Sequence, residues 1–426
     1  MARLKLKPPP FKWAPFSDKQ IKVLTWWMEE SPHHDKDAII CDGSVRAGKT
    51  VAMSFSFVTW ATETFSGEQF GMAGKTIGAL RRNVIGPLKR MLSSRGYYVH
   101  DNQTDNVLTI SRGLVANHFF LFGGKDERSQ DLIQGITLAG MFFDEVALMP
   151  KSFVDQATAR CSIDGAKLWF NCNPAGPYHW FKVEWLDNLE KKYALHLHFT
   201  MEDNLSLSER VRERYRRMYA GIFYKRYILG LWVMAEGVIY DVFDEDKHKL
   251  EPQDMPTEYS KYYVGVDYGH TNATVFLLLG ELDKKLYLIK EYYHSDPEQP
   301  RAPSDYARDF VDFIDGVDVK KIFIDPSAKG FITELKKIGV RRIEEADNSV
   351  LPGIESVAVT LKELQLFVCS KCKQTLQEFF SYVWDEKASQ DRGEDKPVKK
   401  YDHAMDALRY VIYAILGKPR RSKLIT

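Results

Sequence analysis

The residues 41–50 run Cys-Asp-Gly-Ser-Val-Arg-Ala-Gly-Lys-Thr, and from Gly43 they match the spacing G-x-x-x-x-G-K-[ST] without a departure. Those types in that order can hold a polyphosphate. Gly43 and Gly48 let the backbone curl, so that N–H groups along Ser44, Val45, Arg46 and Ala47 turn inward toward phosphate oxygens. Lys49 then reaches the β- and γ-phosphates, and the Thr50 hydroxyl is a ligand for Mg²⁺. A nucleoside triphosphate with Mg²⁺ is the expected ligand. Arg46 is the candidate for neutralising charge on the γ-phosphate; the alternative is a solvent-facing loop residue.

Three further groups bear on the same chemistry. The run 138–143 is apolar and ends in Asp144-Glu145. At the end of a buried strand, one carboxylate can hold Mg²⁺ opposite Thr50 while the next orients and activates water. Asn171 and Asn173 close another apolar run and could sense the γ-phosphate, although Asn173-Pro174 is equally a turn signal. Gln20, shortly before the loop, either reads an adenine edge or is a solvated residue of a first helical turn.

A second set lies in the far half. Asp267 and Asp325 each end an apolar run, and Asp406 follows Asp402-His403-Ala404-Met405. His403 and Asp406 are three apart and Asp402 and Asp406 four apart, neighbours on a helix. Carboxylates from separate elements can hold two hard cations, which activate water and stabilise the leaving oxygen of a phosphodiester. Cys369 and Cys372 have the spacing of half a zinc site, but no second pair matches it.

The elements that must position these groups are legible in part. Residues 37–41 read as a short buried strand and 50–55 as the start of a helix, which puts phosphate at a helix N-terminus. A helix follows Ser17 or Asp18. Residues 75–80 read as a second core strand, with Arg81 and Arg82 at its end facing a nucleotide or solvating the rim. Residues 206–232 read as helical and rich in cations, a solvated face or a phosphate-tracking surface. Residues 235–256 read as a connection between domains. Beyond it, strands near 262–269, 274–279 and 286–293, a helix near 306–313 and a strand at 321–325 follow the order of an RNase H-like sheet. The expected fold class is α/β: an N-terminal P-loop NTPase of the ASCE type around a parallel sheet, then an RNase H-like nuclease domain. Its βαβ part spans roughly 1–199, a helical lid or linker occupies 200–235, and the second domain covers 236–426.

Composition narrows the classes. With 426 residues, 44% hydrophobic and 27% charged, the chain has the make-up of a globular protein of two or three domains. A net charge of +1 means that nucleic acid would be met by local patches, not an overall field. No apolar run reaches membrane-spanning length, the N-terminus lacks a secretory core, and five cysteines fit reduced thiols. The segment 387–400 reads as a mobile or DNA-facing loop and the basic tail 418–423 as disordered.

Taken together, the phosphate loop, Asp144-Glu145 after Phe143, the amides at 171–174, Val266-Asp267-Tyr268-Gly269 and the 402–406 motif resemble the large terminase subunit of tailed double-stranded DNA phages. The resemblance is to its PBSX-like branch and covers nearly the whole chain. It implies an ATP-driven motor that moves double-stranded DNA through a portal protein into a procapsid, and a metal-dependent endonuclease that cuts concatemeric DNA. It implies that Lys49 and Thr50 bind ATP–Mg²⁺, that Asp144 is the Walker B residue and Glu145 the catalytic glutamate. It further implies coupling at Asn171 and Asn173 and adenine reading by Gln20. Nuclease metals, Mg²⁺ or Mn²⁺, would sit on Asp267, Asp325 and Asp406 with His403 nearby. The arginine that assists hydrolysis is Arg46 in cis or one supplied in trans. A small terminase subunit is an implied partner, with a ring on the portal or a monomer in solution, in the host cell cytoplasm and transiently at the procapsid portal, without membrane attachment. A helicase-like ATPase fused to a nuclease is the alternative, and an ATP-gated scaffold without metal chemistry a third reading.

Overall fold

The computed structural model describes residues 11–269, 273–295 and 301–417, so the basic tail 418–423 lies outside the described residues. The chain divides into two compact units. One runs through Tyr215 and takes in Tyr224–Met234 and Gln390–Glu394; the other comprises Arg216–Phe223, Ala235–Ser389 and the chain from Asp395 onward.

The first unit is built on eight strands: β1 Ala38–Gly43, β2 Gln69–Gly74, β3 Tyr98–Asn102, β4 Val107–Arg112, β5 Val115–Gly123, β6 Gly140–Asp144, β7 Lys167–Asn171 and β8 Ala194–Phe199. They form one sheet in the order β3-β4-β5-β2-β6-β7-β1-β8, parallel from β5 to β8, with β3 and β4 added antiparallel at one edge. Strand β7 lies between β1 and β6, the arrangement the ASCE expectation requires. Every residue of β1 is buried, which is why its sequence shows no polar alternation. The helix Lys49–Thr64 packs over the sheet through Phe57 and Trp60, whose rings meet Phe70 and Trp169; Phe57 also meets Phe119 and Phe142. Each such fully buried aromatic contributes about 1.5–3 kcal/mol. The helix thus seats Lys49 and Thr50 at the sheet's C-terminal edge.

Two local expectations fail here. The second core strand is Gln69–Gly74, not 75–80; Ile77–Leu80 is helical, with Thr76 accepting a bond from Ala79 N as its cap. Two glycines hid the true strand. At Gly71 a Cβ would stand 2.1 Å from Met141 Sδ on the neighbouring strand, so the two side chains share one space. Arg81 is committed to Asp101 at 2.8 Å and Asn106 at 3.2 Å, a tie between elements of the sheet's edge. Nor is 206–232 one helix: Glu209–Arg217 and Gly221–Phe223 are separate, broken where Gly221 takes a φ of 51°. Glu209–Arg217 buries no residue, in keeping with a solvated charged face.

The second unit holds β9 Lys249–Leu250, β10 Lys261–Asp267, β11 Thr274–Leu282, β12 Lys285–His294, β13 Val319–Ile324, β14 Ile343–Glu345 and β15 Leu366–Cys369. Their order is β14-β13-β10-β11-β12-β15-β9. Strands β10, β11 and β12 form antiparallel neighbours, then β13 returns parallel to β10 after the helix Pro303–Phe313. Residues 235–256 are no bare connection: Tyr240 and Phe243 pack on Phe379, and β9 pairs with β15. The helix His403–Ile412 lies against β10 at Gly265, where a Cβ would come within 2.2 Å of Ala407 O.

Candidate active sites

In the first unit, the end of β1 turns at Gly43 (φ 122°) and Gly48 (φ 83°) into the helix Lys49–Thr64. Lys49 is buried; its Nζ donates to Gly43 O at 3.0 Å, Ser44 O at 2.7 Å and Asn173 Oδ1 at 3.2 Å. Burial lowers its pKa, with Asp42 and Glu145 pulling the other way. The Thr50 hydroxyl donates to Asp144 Oδ1 at 3.1 Å. Burial, and then the Glu145 charge, push Asp144 up to about 6. A buried carboxylate beside a hydroxyl, its ionised form disfavoured by burial, is a donor set of hard oxygens that fits Mg²⁺.

Glu145 follows in a left-handed conformation, φ 59°, which turns it out of the strand line. Burial raises its pKa, while Lys49 and Lys75 pull it down. Asn171 links the group: its Nδ2 donates to Asp144 Oδ1 at 2.8 Å and Thr50 Oγ1 at 3.2 Å, and its Oδ1 accepts from Glu145 N at 3.4 Å. Strand pairing explains this, because Asp144 and Asn171 are partners across β6 and β7. Both asparagines are thus in the site.

Gln20 and Arg46 are placed differently. Gln20 is buried, not solvated. Its Oε1 accepts from Ser17 N in a capping box, and its Nε2 donates to Gly48 O at 3.4 Å. Arg46 is exposed, with φ 59°, its guanidinium 5.2 Å from the Tyr215 ring centroid and its carbonyl accepting from Asn204 Nδ2 at 2.7 Å.

One residue beneath the phosphate loop escaped the sequence reading. Asp42, 2% exposed, accepts from three rings: His196 Nε2 lies 2.8 Å and His198 Nδ1 2.9 Å from its Oδ1, and Trp232 Nε1 2.6 Å from its Oδ2. Burial alone would raise its pKa, yet these hydrogen bonds hold it well below the ordinary carboxylate range. Tyr227 O accepts from Val45 N at 2.8 Å, so the segment carrying Trp232 braces the loop twice. The signal was present as His-x-His on one face of β8, with Asp42 opposite His198.

In the second unit, β10 and β13 run parallel with Val266 opposite Ile324, so Asp267 and Asp325 end adjacent strands. The helix His403–Ile412 crosses these ends and touches both. His403 Nδ1 lies 2.8 Å from Asp267 Oδ2, and the Tyr410 hydroxyl donates to Asp325 Oδ2 at 2.9 Å. Asp267, Asp402, His403 and Asp406 line one cavity of about 630 Å³, together with Glu378 and Lys399. Burial raises the pKa of Asp267, with the His403 hydrogen bond opposing and the Asp406 charge adding to the rise. The hydrogen bond to Asp267 in turn raises His403. For Asp325, burial is outweighed by hydrogen bonds, chiefly from Ser327, and its pKa falls.

The donors are hard oxygens and one imidazole, a chemistry that fits Mg²⁺ or Mn²⁺. They do not converge as a ready-made cage: among the described residues no group of three or more His, Cys, Asp or Glu is arrayed to hold a metal, at Cys369 and Cys372 or elsewhere. Cations stand among these carboxylates. Arg409, buried, donates to Asp406 Oδ1 at 2.9 Å, and Lys399 Nζ stands 3.2 Å from Asp402 Oδ2 and 3.4 Å from Asp406 Oδ2. Arg409 lies three residues after Asp406, a helix-pair signal that the sequence offered.

A parallel ASCE-type sheet with a phosphate loop and an RNase H-order sheet with an acidic cavity define a two-part ATPase–nuclease. The family model described as "Terminase large subunit, T4likevirus-type, N-terminal" matches residues 40–247. A large terminase from a thermophilic bacteriophage is 60% identical, with 95% of this chain and 100% of that one covered and a TM-score of 0.86. The same phage's large terminase solved with ADP, and again with ATP-γ-S, matches at 58% identity over 94% of this chain and 100% of that one, with a TM-score of 0.82 for each. No curated protein matches. The chain belongs to the phage large terminase family, and is an ATPase and nuclease of viral DNA packaging.

Proposed function

We propose that the first unit, with boundaries near 1–235, is the packaging motor and that the second, 236–426, cuts the DNA. The observation that carries this is two carboxylate sites of different design in one chain: Asp144 beside Thr50 at 3.1 Å, and Asp267 beside His403 at 2.8 Å. The thermophilic phage's enzyme, solved with ADP and with ATP-γ-S, supports ATP as the fuel.

In the motor, Lys49 exchanges the carbonyls of Gly43 and Ser44 for phosphate oxygens, where its charge offsets theirs. Thr50 and Asp144 would hold Mg²⁺, which would supply charge neutralisation at the phosphates. Glu145, its pKa raised by burial, takes a proton from the attacking water. Asn171 reports the change at Thr50 and Asp144 to Glu145, and Asn173 follows the Lys49 ammonium. Arg46 assists in cis once it leaves Tyr215, or a neighbouring copy supplies the arginine. Gln20 reads adenine by releasing Gly48 O.

In the nuclease, Asp267, Asp325 and Asp406 would hold the metal ions with His403 at their side. Bound Mg²⁺ or Mn²⁺ supplies activation of water and stabilisation of the leaving oxygen. His403, oriented by Asp267, is placed to accept a proton from water. The partners are double-stranded DNA, a portal protein and a small terminase subunit, in a ring on the portal within the host cytoplasm. Among the described residues no helix is long and apolar enough to cross a membrane. The helicase-like alternative wants a second ATPase-like sheet, and the second sheet has another order.

The test is a supercoiled plasmid digestion run beside an ATPase assay, each with Mg²⁺, Mn²⁺ or EDTA. Metal-dependent cutting and metal-dependent phosphate release are expected from one preparation. ATP turnover without any metal-dependent cutting would remove the nuclease half.

A further inference from the structure

The helix His403–Ile412 carries His403, Asp406 and Tyr410, so its position along its own axis sets the acidic cavity. A helix leaves its first N–H groups without partners, and the residue before it ordinarily supplies one. Here Asp402 makes no such bond, because its carboxylate is turned to Lys399. Glu378 takes its place. Its Oε2 accepts from Ala404 N at 2.8 Å and Met405 N at 3.1 Å, and its Oε1 accepts from the Tyr293 hydroxyl at 2.8 Å. Glu378 is 3% exposed, and protein donors engage both of its oxygens.

Glu378 is itself held in the same manner. It lies on the helix Lys373–Ser381, whose N-cap, Cys372, also makes no side-chain bond. Glu291 of β12 accepts instead, from Gln374 N and Thr375 N at 2.9 Å each and from Thr375 Oγ1 at 2.7 Å. Two carboxylate contacts therefore connect the central sheet to one helix and that helix to the next.

We propose that Glu378 is the positioning residue of the nuclease site, fixing the helix His403–Ile412 so that His403 meets Asp267 and Asp406 faces the same cavity, with Glu291 acting through it. The inference rests on the nuclease reading of that cavity. What Glu378 contributes is reach and an acceptor oxygen in a fixed place, and its charge is secondary.

The experiment compares Glu378→Gln, Glu378→Asp and Glu378→Ala in the full chain. Mn²⁺ binding is followed by calorimetry, plasmid cutting as kcat and KM, thermal melting as a control of the second unit's fold, and ATP hydrolysis as a control of the first unit. Gln keeps the reach and an acceptor, so it should stay within about threefold of the parent in Mn²⁺ affinity and kcat. Asp keeps the charge but is one methylene short, and with Ala it should lose about 10–100-fold in both, with KM for DNA and ATP turnover unchanged. Glu291→Ala should give a smaller loss of the same kind. If Asp behaves as the parent while Gln fails, the charge is what matters and the positioning role is overturned. Three variants indistinguishable from the parent also overturn it. Should Ala not fold, the contrast between Gln and Asp decides alone. A parent protein that neither binds Mn²⁺ nor cuts would bring down the nuclease reading itself, a different failure from any of these.

Discussion

The Asn171 carboxamide joins the Asp144 carboxylate at 2.8 Å and from there touches the Thr50 hydroxyl and the Glu145 backbone. One amide thus bridges the carboxylate proposed to hold the nucleotide's cation to the glutamate proposed to activate water. Asn171→Ala is expected to lower kcat for ATP hydrolysis by about 10–100-fold with a smaller change in KM, because ligands lose their orientation before they lose their charge. Steady-state phosphate release checks this, and an unchanged kcat would detach Asn171 from the mechanism.

Asp42 predicts an acid-side instability. Its folded pKa lies below its unfolded value, so its contribution is present above the unfolded pKa and is lost as pH falls through the folded one. Asp42→Ala leaves three ring donors without their acceptor and should cost the first unit about 3 kcal/mol at pH 7. Chemical denaturation at pH 7 and again at about pH 2.5, below the ordinary carboxylate pKa, reads both effects, and the deficit should be smaller at the lower pH.

Glu355 works in the other direction. Burial pushes it up to about 7. Between its unfolded pKa and that value, the unfolded chain releases the proton and the folded chain keeps it, so stability falls as pH rises across this window. Tyr413, just beyond the helix His403–Ile412, is a group its charge reaches. Glu355→Gln should flatten this slope and raise the stability of the second unit at pH 8 by about 1–3 kcal/mol. Melting curves at pH 5 and pH 8 give the comparison; equal gains at both would contradict it.

Gly265 sets how closely the acidic helix approaches β10. A methyl group there would meet Ala407 O at 2.2 Å, and backbone cannot yield as a side chain does. Gly265→Ala should destabilise the second unit by about 1–3 kcal/mol and separate His403 from Asp267. DNA cutting would fall while ATP turnover continues, and a variant that cuts normally would show that the approach is not needed.

Much of this was legible in the sequence because the groups come with their own context. The loop from Gly43 to Thr50, Asp144-Glu145 at a strand end and Asp406 on a helix each announce a strand or helix beside them. Strand β2 did not, since its Gly71 answers to Met141, a contact remote in sequence. The roles of Asp42, Glu378 and Gly265 were hidden for the same reason: each depends on a partner from another element. The break at Gly221 and the stacking of Phe243 on Phe379 likewise turned an expected long helix and an expected connector into packed structure. Gln20 was recognised by type, but its buried capping bond could not be read from spacing.

The proposed division of labour is that one chain holds two independent metal-dependent sites. It is tested most directly by measuring ATP hydrolysis and Mn²⁺-dependent DNA cutting side by side for Glu145→Gln and Asp267→Asn. A crossed result is expected: Glu145→Gln abolishes phosphate release and still cuts, and Asp267→Asn hydrolyses ATP and no longer cuts. Either substitution abolishing both activities in a folded protein would contradict it.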